Sequence, residues 1–479
     1  MIEASPRKCV TSPCPPRVRF GVLDSTLREG EQTPGVVFTV DQKLEIARLL
    51  DSIGVDMIEA GHPSVAPDVR EAVRRIVGLK REGVIRAEVV AHSRALRRDI
   101  EDAAELEPDR IAIFYGISDL HLRYKHRVSR EEALSIIGEA VEYARQHGVR
   151  VRFTAEDATR ADPGFLVEVA KTAYEAGADR LSVADTVGAA TPPFMRRLVE
   201  HVLGAVPGLE VDAHCHNDLG LALANSLAAV EGGATIVHVT VNGLGERTGI
   251  TWLQQLAAAS HVFYGKSPVS LSELMKITSI VERYSGVMVP PNAPLVGDNA
   301  FTHKAGVHVA GVLSNPETYE VIPPSLLGRT RSYTIDKYTG RKALRARLEE
   351  LGVKLSDEEL VRVLMEVKKA STARWISDED LLDIVERVTG RRVKLQPSKG
   401  LEALVLVRCE PNIYTASVAR RLTLIPCVTE VMEVTGDRDI VVRLTANNPV
   451  ELNETIEAVR RVKGVTDTYT ILVLRKLER

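Results

Sequence analysis

From residue 19 to about 260, short apolar runs alternate with longer amphipathic ones. Residues 19–23, 57–60, 87–91, 110–114, 150–153, 180–183, 210–212 and 236–241 read as strands. Between them, 39–53, 130–146, 163–176 and 192–205 carry helical patterns. Eight strand–helix repeats, with short turns bearing Gly54, Gly148, Gly177 and Gly233, predict an α/β chain folded as a (β/α)8 barrel. The alternative, a doubly wound open sheet, lacks its fingerprint, because no Gly-x-Gly-x-x-Gly follows the first strand.

The pattern then breaks. Residues 285–345 are rich in Pro and Gly, and 341–394 return to plain amphipathic helices such as 357–369 and 378–388. Residues 396–400 read as a linker. The last eighty or so predict strand (403–408), helix (414–424), two strands meeting at Thr435-Gly-Asp-Arg (428–434, 439–444), helix (449–462) and strand (467–474). That β-α-β-β-α-β order is the ferredoxin-like split unit. The expected division is a loose tail at 1–18, a barrel at 19–285, a lid subdomain at 286–345, a helical subdomain at 346–397 and a ferredoxin-like domain at 398–479.

Composition narrows the class. A chain of 479 residues, 44% hydrophobic and 27% charged, is a soluble multidomain protein. A net charge of −3 offers no basic footprint for nucleic acid. No apolar stretch approaches the ~20 residues of a membrane span, and no signal peptide opens the chain. Five cysteines, two of them Cys9 and Cys14 in the tail, with no Cys-x-x-Cys, argue against a disulfide scaffold. A cytoplasmic protein with no membrane partner is expected.

Polar residues gather where strands finish: Asp24, Arg28 and Glu29 after the first, Glu59 and His62 after the second, His92 after the third. Glu156 and Asp157 follow the fifth, Asp185 and Thr186 the sixth, His214 and His216 the seventh, Asn242 the eighth. In a barrel these ends share one face, where such folds do their chemistry. His214 and His216, two apart after a strand-like run, point the same way. With Glu29 they would give two nitrogens and one oxygen to a divalent ion, Mg²⁺, Mn²⁺ or Zn²⁺, and leave positions open for a chelating substrate. Asn242 either approaches the same ion, directly or through water, or is a turn residue before Gly243. Arg28 would place a fixed cation beside the oxygen the metal polarises, or form a structural salt bridge.

His308 suits proton abstraction near neutral pH, with Glu156 as a carboxylate that could orient it; His303 and His308 could equally be loop surface. Arg152 alternates to the same face as Glu156, and an inward arginine is costly to bury without an anion. A second carboxylate on the substrate would supply one, with His92 as a further donor. The alternative is an internal ion pair with Glu156, Asp157 or Glu59.

Asp24-Ser-Thr-Leu-Arg-Glu-Gly-Glu31, His214-Cys-His-Asn-Asp218, Asn242-Gly-Leu-Gly-Glu-Arg247 and His303-Lys-Ala-Gly-Val-His308 together resemble the DRE-TIM metallolyase superfamily over residues about 19–345. Within it they resemble the Claisen-condensing acyltransferases, the homocitrate, 2-isopropylmalate and citramalate synthases. The resemblance implies metal ligands Glu29, His214 and His216, a catalytic Arg28, and a base His308 partnered by Glu156 and Tyr319. Arg152 and His92 are similar to the homocitrate synthase residues that hold the distal carboxylate of 2-oxoglutarate. Thr186 matches a threonine that holds the carboxylate beside the keto group. Glu59-Ala-Gly-His62-Pro63 departs from the Thr-Ser-Pro form common in that group. The tail from about 400 resembles the small-ligand domain of the leucine-responsive regulators; no helix-turn-helix precedes it, which implies an allosteric or dimerising role without DNA.

The resemblance thus implies condensation of acetyl-CoA with 2-oxoglutarate to homocitrate and CoA, opening lysine biosynthesis via aminoadipate, with lysine as effector and a homodimer or higher homo-oligomer. The rivals are 2-isopropylmalate synthase, citramalate synthase and, from another class, a catalytically inactive amino-acid sensor.

Overall fold

The computed structural model describes residues 18–372, 376–391, 401–446 and 449–473. The expected tail up to residue 17 and the linker at 396–400 lie outside them. The chain divides into two units, Met1–Val287 and Met288–Arg479.

In the first unit, strands β1 (Gly21–Asp24), β2 (Met57–Gly61), β3 (Glu88–Arg94), β4 (Arg110–Gly116), β5 (Arg150–Glu156), β6 (Arg180–Asp185), β7 (Glu210–Cys215) and β8 (Ile236–Val239) close into a barrel in chain order. All pairs are parallel, and β1 closes on β8 with Gly21 opposite Ile236 and Asp24 opposite Val239. Outside lie α1 (Val40–Ile53), α2 (Pro67–Arg81), α3 (Arg97–Ala104), α4 (Arg130–Gln146), α5 (Pro163–Glu175), α6 (Pro192–Ala205), α7 (Ala222–Glu231), α8 (Leu253–Tyr264) and α9 (Leu274–Ser285).

Local chemistry sets the helix ends. Thr39 accepts from the Gln42 amide while the Gln42 side chain reaches back to the Thr39 N–H, a capping box that starts α1; Gly54, at φ 92°, ends it. Helix α5 begins with Asp162 as cap and Pro163 in its first turn. Leu23, Met57, Val90, Ala112 and Ile236 form an apolar plug inside the barrel.

The strands run further than the apolar runs suggest. His92, Glu156, Asp185 and His214 lie within strands rather than after them, because parallel pairing continues through Gly116–Glu156 and Ala184–His214. At the other extreme β8 stops at Val239, and Asn242 takes a left-handed conformation, φ 59°. Polar side chains at the mouth therefore ride on paired backbone, which fixes their direction.

The second unit opens with a two-stranded parallel pair, β9 (Thr302–His303) and β10 (Ser332–Tyr333), and helix α10 (Gly306–Ser314). Helices α11 (Arg341–Glu350), α12 (Asp357–Ala370) and α13 (Asp378–Thr389) share a core including Leu344, Leu348, Leu360, Val363, Leu381 and Val385. The chain ends in β11 (Leu401–Cys409), α14 (Thr415–Leu422), β12 (Val428–Glu433), β13 (Ile440–Ala446), α15 (Pro449–Arg460) and β14 (Val465–Leu472), the expected β-α-β-β-α-β order. Its antiparallel sheet runs β12-β13-β11-β14. Val405 and Val407 alternate inward to meet Val418, Leu422 and Val459 of the helices. Among the described residues, no helix is long and apolar enough to cross a membrane.

Candidate active site

The turn after β1 is built on Ser25. Its hydroxyl donates to Glu59 Oε2 at 2.5 Å and accepts the Glu29 N–H at 3.3 Å, which presents Glu29 at the barrel mouth. Glu29 is 2% exposed; its Oε1 accepts the Glu246 N–H at 3.0 Å and its Oε2 faces Arg28. The run Asn242–Arg247 needs its glycines for this approach. A Cβ on Gly243, at φ +65°, would lie 1.8 Å from Trp252 Nε1, and one on Gly245, at φ +153°, would press on Glu29 Oε1 at 3.1 Å.

His214 sits near the end of β7, and His216 follows on an isolated bridge to Ile250. Their Nε2 atoms converge to 3.4 Å. One donor atom each from Glu29, His214 and His216 lies within 4.8 Å of the others, and all three residues are buried. Burial pushes both imidazoles below their usual range; for His214 the neighbouring His216 and His238 push the same way. Two neutral ring nitrogens and a carboxylate aimed at one point fit a divalent cation, with coordination positions to spare.

Beside the triad, one buried carboxylate gathers three partners in addition to Ser25. Glu59 Oε2 accepts from Arg28 Nε at 2.7 Å; Oε1 accepts from Arg152 Nη2 at 2.7 Å and faces His92 Nδ1 at 3.2 Å. Burial alone would raise Glu59, but Arg28, His92 and Arg152 hold it well below the usual carboxylate range. Burial, with Arg28 adding to it, pushes His92 down to about 3. Arg152 is 1% exposed, and of its three sequence alternatives the one formed is the pair with Glu59.

Other sequence candidates have other partners. The Glu156 carboxylate takes Lys125 Nζ on both oxygens, at 2.7 and 2.6 Å, with His121 at 3.8 Å. Thr186 Oγ1 accepts the Asp157 N–H at 2.8 Å, which leaves its own proton to donate. Asn242 is the turn residue before Gly243: Nδ2 donates to the Thr278 carbonyl at 3.0 Å and Oδ1 accepts from Gln254 at 2.7 Å. A direct ligand role would compete with Gln254 for that oxygen. His308 is exposed on α10, its ring 4.2 Å from that of Tyr319, and both belong to the second unit.

Sequence reasoning missed the hub role of Glu59 and passed over Ser25, Lys125 and His238. The partners of Glu59 come from 31 to 93 residues away, which no local pattern reveals. His238 had a signal, a lone polar residue inside the apolar run of β8.

Comparison with known proteins places the chain in a family. The family model described as HMGL-like matches residues 19–281, a homocitrate synthase post-HMGL domain matches 295–374, and the Lrp/AsnC ligand binding domain matches 402–479. A homocitrate synthase of Sulfurisphaera tokodaii is 59% identical over 460 residues, 96% of this chain and 100% of that protein. One of Saccharolobus solfataricus is 58% identical over the same shares. Among solved structures, a Bacillus subtilis HMG-CoA lyase superposes with a TM-score of 0.51 at 23% identity, covering 57% of this chain and 95% of its own, a likeness of fold alone.

Proposed function

The chain belongs to the homocitrate synthase family, and on that premise we propose that it condenses acetyl-CoA with 2-oxoglutarate to give homocitrate and CoA. The observation that carries the choice of acceptor is the charge balance at the mouth. Arg28 and Arg152 face Glu59 and Glu29, so the charges of these four groups, all buried but the partly exposed Arg28, cancel. A divalent cation on Glu29, His214 and His216 adds two positive charges, and a dianionic oxo acid restores neutrality. Against these groups a monoanionic acceptor such as 2-oxoisovalerate or pyruvate supplies one negative charge fewer than the dianionic acid.

In this reading Glu29, His214 and His216 would hold Mg²⁺ or Mn²⁺, with Zn²⁺ the third candidate, and the ion when bound would supply Lewis acidity for the keto oxygen. Thr186 donates to the carboxylate beside the keto group, and Arg152 with His92 holds the distal one. His308, its ring against that of Tyr319, is the base proposed to take a proton from the acetyl-CoA methyl. The enolate attacks the keto carbon, and Arg28 stabilises the negative oxygen that develops. Water then cleaves the thioester. The presence of every ligand and base candidate speaks against an inactive sensor.

The terminal domain is assigned an effector, with lysine as the candidate. Self-association is supported by its open sheet face. Leu404 and Leu406 of β11 neighbour Val441, Tyr469 and Ile471 on the side away from the core valines.

The test is release of free thiol from acetyl-CoA with a panel of 2-oxo acids, with and without chelator. Chelator-sensitive release with 2-oxoglutarate ahead of 2-oxoisovalerate and pyruvate is expected. Release led by 2-oxoisovalerate would move the chain to the isopropylmalate branch, and none with any acceptor would favour the sensor.

A further inference from the structure

Strand β8 carries a histidine that the proposed chemistry leaves unused. His238 is 1% exposed, and its ring meets that of His214 edge-on, centroids 5.3 Å apart at 79°. Its Nδ1 lies 3.1 Å from His214 Nδ1. Its Nε2 has two neighbours, Asp212 Oδ2 at 3.3 Å and Arg152 Nη1 at 3.1 Å. Asp212 is held in turn by Arg180 Nη1 at 2.5 Å.

Hydrogen-bond valence limits this chain to two states. A bond between two Nδ1 atoms holds one proton, and each neutral ring carries one in all. If the shared proton belongs to His238, its Nε2 is bare and accepts from Arg152. His214 then carries its proton on Nε2, the nitrogen that faces His216, and cannot ligate there. If the proton belongs to His214, its Nε2 keeps a free lone pair, and His238 places its own proton on Nε2, donating to Asp212. Only the second state presents a ligand. Asp212 favours it as an acceptor, whereas Arg152 favours the first as a donor. An anion that drew Arg152 away from His238 would tip the balance toward the ligating state.

We propose that His238 is a positioning residue, which with Asp212 fixes the proton of His214 on Nδ1 and so offers Nε2 to the divalent cation. The inference rests on the reading of Glu29, His214 and His216 as ligands, and deepens it. Groups that orient a ligating histidine through its second nitrogen are typically worth about 10–100-fold in metal affinity. No covalent step is involved; one proton changes its owner within a hydrogen bond.

The experiment titrates chelator-stripped full-length protein with Mn²⁺ and reads free ion by electron paramagnetic resonance. It compares the wild type with His214→Ala, His238→Leu and His238→Asn, each checked for folding by circular dichroism. His238→Leu should weaken Mn²⁺ binding by about 10–100-fold, and His238→Asn, whose amide oxygen can accept from His214 Nδ1, should recover most of it. Wild-type affinity in folded His238→Leu, or equal weakness in His238→Asn, would overturn the inference while leaving the ligands intact. If the wild type binds no Mn²⁺, or His214→Ala binds as well as the wild type, the ligand reading falls and this inference falls with it.

Discussion

At the N-terminal end of the barrel, Arg110, Arg150 and Arg180 alternate with Glu88, Asp179 and Glu210. At the C-terminal end, Arg28, Arg152 and His92 crowd one carboxylate, Glu59. The two ends are similarly charged, but the pairing differs. Below, Arg110 binds Glu88 at 2.5 Å and also Asp179, Arg150 binds Glu88 at 3.0 Å, and Arg180 binds Glu210 and, at 2.5 Å, Asp212. The three cations there have four acids between them, and five of the six residues first named open a strand. Above, Arg28, Arg152 and the His92 imidazole share Glu59, with Glu29 a second acid for Arg28 alone, beside two imidazole nitrogens that converge to 3.4 Å. A closed set of pairs closes the barrel, whereas an over-shared acid leaves donors to spare for a ligand.

Substitutions at the two ends should therefore fail in different ways. The largest effect is expected from Glu29→Ala or His214→Ala, which should abolish thiol release while the protein stays folded; residual turnover near wild type would remove the metal from the account. Next, Arg152→Ala should cost about 2–5 kcal/mol of transition-state binding for 2-oxoglutarate, read as kcat/KM, and less for a monocarboxylic oxo acid. Equal losses for both would defeat the pocket assignment. Arg110→Ala, at the other end, should lower unfolding stability by about 3 kcal/mol, reduced by the half-exposed Asp179 partner. Its kcat/KM should not change below the melting range. A catalytic loss without a stability loss would erase the contrast.

The smallest expected effect is on pH dependence. His92 sits at about 3 in the fold, against 6.5 for the free side chain. Between those values the unfolded chain binds a proton that the folded one refuses, so the contribution is present above about 6.5 and lost as pH falls through that window. Urea midpoints of the metal-free protein should fall from pH 6.5 downward. His92→Asn, which keeps a donor for Glu59, should flatten the slope; an unchanged slope would assign it elsewhere.

The barrel was legible because its signal is local. Helices α4 and α6 fall at the ends their patterns predict, and the i, i+2 spacing of His214 and His216 sets both on one side of β7. What stayed hidden depends on partners distant in the chain. Strand ends at Glu156 and Asp185 were set too early, since only the neighbouring strands show that pairing continues. Asn242 read as either ligand or turn until Gln254 and Thr278 took up its amide. The acid that organises the anion pocket, Glu59, was visible only as one more polar residue at a strand end.

The contrast between the two ends is tested most directly by anomalous diffraction from a crystal of this chain soaked in Mn²⁺. The account predicts one peak at the barrel mouth, about 2.0–2.4 Å from a Glu29 carboxylate oxygen and from Nε2 of both His214 and His216, and none among the paired charges at the base. A peak at the base, or manganese held elsewhere with the triad vacant, would contradict it.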